Sequence, residues 1–597
     1  MSHEFQIIKN GLLSKYTANI SVECPLNEYP RPQLQRANWT NLNGLYEYNV
    51  LDKTIDFPDQ FIGQILVPFS IESAASGVKR TLAPNERLWY RKTIEVPAIS
   101  ECERLILHFG AVDYESAIYI NQHLVGKNTG GYLPFEIDIT DQVSPGMNEL
   151  IIGVTDPTDT GYQERGKQVL NPKKIWYTAT SGIWQTVWME VVNDLSITSL
   201  KIIPDFDKSA VRIKPVISSL EEVKITLSIT DRGKLVRRTT LTEDRFNEIT
   251  LPNFKPWSPE SPFLYDVKIE LSQNGIVKDT IKSYFGMRKY AIENDETGVL
   301  RLFLNNRPYF QVGALDQGYY PDGILTPPTD QAMIDDIETM KSLGFNMLRK
   351  HIKIEPLRWY YHCDRLGMLV WQDMPSGGQG YTGDFFAVRL AYLGFHFNDH
   401  FYRRFRRDNP RSRTEYLSGL NGMIDLLFNV PSICTWVPFN ESWGQFDAKK
   451  TADYVKQIDP SRFVDHASGW YDQNGRDFQS IHRYVYKIKK PKTDKFRPFV
   501  LSEFGGYSQI LPGHVWNQEK SFGYSMYDSA EDLTHAYADL IMNQIVPLVP
   551  KGLSATVYTQ VSDVETEVNG LITYDREVIK MDPSIVKSLN DQLKSMF

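Results

Sequence analysis

Along the first two hundred residues, apolar and polar side chains alternate in short runs broken by Gly, Pro and Asn. Residues 104–109 and 116–121 alternate with period two, and 148–154 is another such run. Period two puts successive side chains on opposite faces of a sheet. No segment of helical period competes, so the pattern predicts an all-β sandwich. From 196 to 288 the rhythm repeats on a smaller scale, with runs at 223–229 and 265–271. That predicts a second sandwich of immunoglobulin size. After Tyr290 the period changes. Met333, Ile334, Ile337 and Met340 recur at helical spacing, Gly344 ends the segment, and an apolar run follows at 345–348. A second helix at 357–366 leads through Gly367 to the run 368–371. Helix and apolar strand alternating to the end of the chain predict an eight-fold (β/α) barrel. Its strands are expected near Tyr309, Phe345, Met368, Ile433, Phe463, Ile481, Phe499 and Thr556. The expected units are residues 1–195, 196–289 and 290–597.

Composition narrows the partners. A chain of 597 residues exceeds what one hydrophobic core supports. Its formal charge of −8 argues against nucleic acid or an anionic membrane surface as partner. No apolar run approaches the ~20 residues that span a bilayer. The first residues show no basic and apolar leader, so the expected location is cytoplasmic. The four cysteines, Cys24, Cys102, Cys363 and Cys434, are scattered and read as reduced, mostly buried thiols rather than a metal site. Aromatic residues are abundant, with 12 Trp, 32 Tyr and 30 Phe. They suit both large β-sheet cores and a surface on which pyranose rings stack.

Two predicted barrel strands each end on a glutamate. Residues 432–441 run apolar into Asn440-Glu441, and residues 498–505 carry Glu503. Such strand ends open at the mouth where barrel enzymes place their chemistry. Two carboxylates facing each other there suit glycosidic cleavage. One must be protonated to release the leaving oxygen; the other must be ionised to attack the anomeric carbon. A barrel that kept its pocket as a mere sugar binder would first lose one of the pair, and both are present.

Further motifs occur in order along the chain. They are Leu88-Trp89-Tyr90-Arg91-Lys92, Gly130-Gly131-Tyr132-Leu133-Pro134-Phe135 and Gly182-Ile183-Trp184-Gln185, then Pro256-Trp257-Ser258-Pro259. Phe285-Gly286-Met287-Arg288 and Gly367-Met368-Leu369-Val370-Trp371-Gln372-Asp373 follow. With them the chain resembles glycoside hydrolase family 2, the family of β-galactosidases, β-glucuronidases and β-mannosidases. The resemblance implies a jelly-roll β-sandwich, an immunoglobulin-like β-sandwich and a catalytic TIM barrel, with retention of anomeric configuration. It makes Glu441 the acid/base, Glu503 the nucleophile and Asn440 the partner of the sugar 2-hydroxyl. Arg349 would hold the nucleophile, and Tyr484 would lie beside it. Asp316 would bind a sugar hydroxyl or cap a helix. Trp443, Trp470, Trp516 and Tyr558 would form stacking walls or belong to the core.

Three departures bear on the substrate. Family β-glucuronidases carry an Asn-x-Lys clamp for the uronate where this chain has Glu567 and Asn569. A glutamate there would repel a uronate, so a neutral hexose is expected, galactose first. The segment Trp371-Gln372-Asp373-Met374-Pro375 lacks the Glu-x-His magnesium site of family galactosidases, so no metal or other cofactor is expected. Arg349-Lys350-His351-Ile352 also departs from the usual Arg-x-x-His. The expected partner is a glycoside or oligosaccharide, with loops at 377–398 and 505–528 enclosing an exo-type pocket. The sequence leaves a homo-oligomer open.

Overall fold

A computed structural model describes residues 5–219, 222–379, 397–484, 486–491 and 494–597. The period-two runs of the first unit build two antiparallel sheets. One orders Trp39–Asn41, Val187–Asn193, Glu103–Phe109 and Phe135–Asp138. The other orders Gly63–Val67, Gly44–Asp52, Glu86–Val96, Gly146–Thr155, Glu115–Ile120 and His123–Thr129. Leu105, Leu107 and Phe109 of the first sheet share one core with Leu88, Tyr90, Ile118 and Leu150 of the second. The second unit packs a three-stranded sheet on a four-stranded one around Ile213, Ile225, Leu227, Ile269 and Ile281.

The barrel strands are β1 (Gln311–Asp316), β2 (Met347–Lys350), β3 (Leu369–Asp373) and β4 (Ile433–Val437). They continue with β5 (Phe463–Val464), β6 (Gln479–Arg483), β7 (Phe499–Gly505) and β8 (Leu553–Thr559). The order is β5-β4-β3-β2-β1-β8-β7-β6, and every paired neighbour is parallel. At the seam between β5 and β6, Ser480 Oγ donates to Asp465 Oδ2 at 2.8 Å. Leu315, Met347, Leu369, Trp371, Val500 and Ala555 cluster with Tyr290, Leu302 and Leu304 of a preceding hairpin. The lower barrel is thereby a packed core, and chemistry is left to the C-terminal mouth. Helix α1 (Asp330–Ser342) starts where Thr329 accepts from the Ala332 N–H. Helix α2 (Leu357–Leu366) stops at Gly367, whose φ is +77° and where a Cβ would meet Pro259 O at 2.4 Å. Only glycine fits so close an approach of the second unit to the barrel.

A strap from the jelly-roll, residues 165–178, crosses the barrel mouth. The N–H groups of Arg165 and Gly166 both donate to Ser376 O at 3.0 Å. Arg165 Nη1 donates to Gly378 O at 2.7 Å and Gln168 Nε2 to Tyr319 Oη at 2.6 Å. The Thr178 N–H closes the other end on Glu565 Oε1 at 2.8 Å. Cys363 and Cys434 are buried, but Cys102 is exposed and Cys24 half-buried, so the expectation of mostly buried thiols holds for two of the four. Among the described residues no helix is long and apolar enough to cross a membrane.

Candidate active site

Strands β4 and β7 deliver the two glutamates. Glu503 lies within β7, opposite His482 of β6 in the sheet register. Glu441 follows β4 on a turn in which Asn440 pairs with Ser468 and the Glu441 N–H donates to Ser468 O at 2.9 Å. Glu441 and Ser442 both take left-handed backbone, with φ of +49° and +65°. Such conformations cost roughly 1–3 kcal/mol each and persist only where surrounding structure imposes them. One carboxylate oxygen of Glu441, one of Glu503 and a ring nitrogen of His482 lie within 4.8 Å of one another.

The two carboxyl groups have different company. Glu503 Oε1 accepts from Arg349 Nη1 at 3.1 Å, and Oε2 accepts from the Tyr484 hydroxyl. Arg349 is fully buried and forked on Asp373, with Nε and Nη2 each 3.0 Å from a carboxylate oxygen. Its Nη2 also donates to Asn440 Oδ1 at 2.8 Å, which leaves Asn440 Nδ2 buried without a partner. Glu441 Oε1 is 2.8 Å from His482 Nδ1, and the Trp470 indole donates to the same carboxyl. His482 Nε2 lies near two donors, Ser468 Oγ at 2.9 Å and Arg349 Nη1 at 3.5 Å, so the ring proton sits on Nδ1 and points at Glu441. Burial holds this imidazole neutral, with its pKa down to about 3.

Burial raises both glutamates. For Glu503, Arg349 and the Tyr484 hydrogen bond oppose that rise and the like charge of Glu441 reinforces it. For Glu441, Lys167, the Trp470 bond and Arg349 oppose it. Two carboxylates this close do not both ionise readily. Glu503 faces a guanidinium and a phenol that each donate to it, whereas Glu441 has two neutral donors. The shared proton therefore belongs on Glu441.

The other sequence candidates divide. Trp470 stands edge-on to His482 at 5.7 Å, and half-buried Trp443 meets Trp176 of the strap at 5.0 Å. Tyr484 stacks on Tyr524 at 4.1 Å. Asn569 is buried and donates to Glu567 Oε1 at 2.9 Å. Asp316 is tied to Lys350 Nζ at 2.7 Å and to the Gly318 N–H at 2.9 Å, so its oxygens serve the β1 loop. Two expected stacking residues stand elsewhere. Tyr558 lies in the shell between strands and helices, against Phe504 and Tyr537, because the alternation of β8 turns it away from the interior. Trp516 packs on Tyr574, with Lys79 of the jelly-roll over its ring. Most of the loop 377–398 lies outside the described residues.

Four residues of the site are given no role by the sequence: His482, Asp373, His351 and Lys167, although Asp373 and His351 lie in segments quoted above. Asp373 closes a quoted motif and His482 stands two residues before Tyr484, both at strand ends, and period-two alternation could have found them. His351 starts a hydrogen-bond chain. Its Nδ1 meets Gln317 Oε1 at 2.9 Å, Gln317 donates to Gln560, Gln560 to Asn569, and Asn569 to Glu567. The strap's Tyr177 hydroxyl donates to the other oxygen of Glu567. Burial, then the charges of Lys167 and Arg349, keep His351 neutral, and its Nε2 is buried without a hydrogen-bond partner 3.6 Å from Glu503 Oε1. Lys167 sits on the strap, over the Tyr177 ring at 5.1 Å and the Trp443 ring at 5.8 Å. No local pattern marks it.

Among the described residues two groups could hold a cation, Glu441–His482–Glu503 and Asp399–His400–Asp447. The first is the carboxylate pair itself.

Comparison with known proteins places this geometry. Residues 40–191 match the sugar binding domain of glycosyl hydrolases family 2, and residues 195–288 match a further model described as glycosyl hydrolases family 2. Residues 328–591 match its TIM barrel domain. A β-galactosidase of Thermoanaerobacter pseudethanolicus is 23% identical over 70% of this chain and 54% of its own length. A β-glucuronidase of Streptococcus agalactiae is 22% identical over 76% of this chain and 81% of its own. The chain spans about half the length of the first curated relatives it matches. The Ruminococcus gnavus β-glucuronidase structure has the same fold, with a TM-score of 0.73 at 18% identity over 95% of this chain and 99% of that one. By its three matched domains, the chain belongs to glycoside hydrolase family 2.

Proposed function

We propose that the chain is a retaining exo-β-glycosidase, with Glu441 as acid/base and Glu503 as nucleophile. The observation that carries this reading is a close carboxylate pair with unequal donors. Retaining enzymes hold their carboxyl groups about 5–5.5 Å apart, whereas inverting enzymes leave about 6.5–9.5 Å for a water. One oxygen of each carboxyl lies within 4.8 Å of the other, which fits the closer of the two spacings. Glu503, kept ionised by Arg349 and Tyr484, attacks the anomeric carbon while Glu441 protonates the departing oxygen. Once Glu503 is a neutral ester, Glu441 loses its like-charged neighbour. Its pKa falls, and it can take a proton from the incoming water. Asn440 Nδ2, a buried donor with its partner oxygen already fixed by Arg349, suits the 2-hydroxyl.

The strap walls one side of the mouth, which supports action on terminal sugars. Every group the reaction needs is an acid, a base or a hydrogen-bond donor of this chain, so the reading requires no metal. On barrel residues alone the glycone would be a neutral hexose such as galactose, because Glu567 and Asn569 bond each other and offer no cation. Lys167 of the strap removes the premise of that argument. The test is release of nitrophenol from aryl β-glycosides with and without EDTA, with the first-formed anomer read by NMR. A β-anomer that appears first, at a rate EDTA leaves unchanged, supports the reading; an α-anomer overturns it.

A further inference from the structure

The Lys167 side chain is 4% exposed, yet among the described residues no carboxylate oxygen lies within 4.0 Å of its ammonium and no hydrogen bond engages it. The charges that act on it are Glu567, Glu503, Glu441 and Arg349, the groups that line the mouth. Each neighbouring carboxyl is already engaged. Glu567 accepts from Tyr177 and Asn569, Glu503 from Arg349 and Tyr484, and Glu441 from His482 and Trp470. Other cations near the mouth are also engaged. Lys350 is shared by Asp316 and Glu355, Lys353 is held by Glu355 and two carbonyls, and Arg407 by Gly444 O, Ser412 and Glu164. Lys167 alone among these is buried and charged without an acceptor in reach.

Resting on the glycosidase reading above, we propose that Lys167 receives the carboxylate of a uronic-acid glycone, so that specificity for a uronide comes from the jelly-roll strap rather than from the barrel. An ammonium with little access to water and no counter-ion is costly, and a bound hydroxyl would satisfy a hydrogen bond but not the charge. A carboxylate supplies both. A single ammonium matches the single charge of a uronate. Position is set without help from the ligand. Gly166, with φ +63°, brings the strap against Tyr132 and Ile352 where a Cβ would meet Tyr132 Oη at 2.8 Å, and the Lys167 carbonyl accepts from the Tyr177 N–H at 3.0 Å. Burial draws the ammonium below its usual range while the surrounding carboxylates draw it back, and an added carboxylate would stabilise its charge further. Glu567 opposes any anion nearby, but its two oxygens are turned onto Tyr177 and Asn569.

The experiment pairs binding with turnover. Sodium glucuronate and galacturonate are titrated calorimetrically against glucose and galactose, in the wild type and in Lys167→Met and Lys167→Arg, and kcat/KM is measured for the four matching nitrophenyl β-glycosides. Expected are tighter binding of one uronate than of its neutral partner and a uronide-to-neutral kcat/KM ratio that drops on the order of 100-fold in Lys167→Met, with part recovered in Lys167→Arg. A ratio that stays put in Lys167→Met, or a wild type that prefers the neutral sugar in both assays, overturns the proposal. Uronate binding that depends on Lys167 with no turnover of any aryl glycoside would uphold the Lys167 site and remove the hydrolase reading instead.

Discussion

The two halves of the pocket manage charge in opposite ways. On the barrel side the buried cations nearest the mouth are paired: Arg349 with Asp373 and Glu503, Lys350 with Asp316 and Glu355, Lys580 with Asp563 at 2.6 Å. On the jelly-roll side one buried ammonium, that of Lys167, has no such partner among the described residues. Paired buried ions hold geometry, because breaking one leaves a charge stranded. A buried ion without a partner is poised for something that arrives. The barrel half is therefore built to keep Glu503 charged and in place, and the strap half to choose what meets it.

Substitutions on the barrel side should damage chemistry in proportion to how directly they touch the pair. The largest effect is expected for Glu503→Ala, a loss in kcat on the order of 10⁴-fold or more. Azide should restore turnover by giving a glycosyl azide of inverted configuration, detected by NMR. Azide rescue of Glu441→Ala with an inverted product would exchange the two roles. Next comes Arg349→Lys, which keeps the charge but loses the fork on Asp373. On the order of 100-fold should be lost from kcat/KM, together with a lower Tm by calorimetry.

A smaller and more diagnostic change is Tyr484→Phe. The phenol donates to the ionised form of Glu503 and so pulls its pKa down; without it that pKa rises. The acid limb of the kcat/KM profile should move to higher pH, with about a tenfold loss at its plateau. A limb that stays in place would show that Arg349 alone holds Glu503 ionised. The smallest effect belongs to Tyr558→Phe, which lies behind β8 against Phe504 and Tyr537. KM should change by less than about twofold, since the ring touches no part of the mouth; a larger rise would put it back in the pocket wall.

His482 shows how much a sequence can hold without displaying it. It sits two residues before Tyr484, on a strand already expected, and it faces Glu503 because parallel register sets the two side by side. Trp516 teaches the reverse. An aromatic near a catalytic loop has a sequence position that fits a sugar wall, but the Trp516 ring meets Tyr574 edge-on and carries Lys79 over it.

What the chain alone determines is everything written in local periods. Alternation of two specifies both sandwiches, helical spacing followed by apolar runs specifies the barrel, and a glutamate at the end of β4 or β7 has to reach the mouth because strands in a barrel run parallel. What only tertiary structure decides is which charges meet. Lys167 and Glu567 lie in different domains, and their relation depends on how a strap is docked through Ser376, Tyr319 and Glu565. Desolvation and Coulomb energy depend on distance in space, which a linear pattern does not record. The cation absent from the barrel's clamp positions therefore comes into view only when the jelly-roll is laid across the mouth.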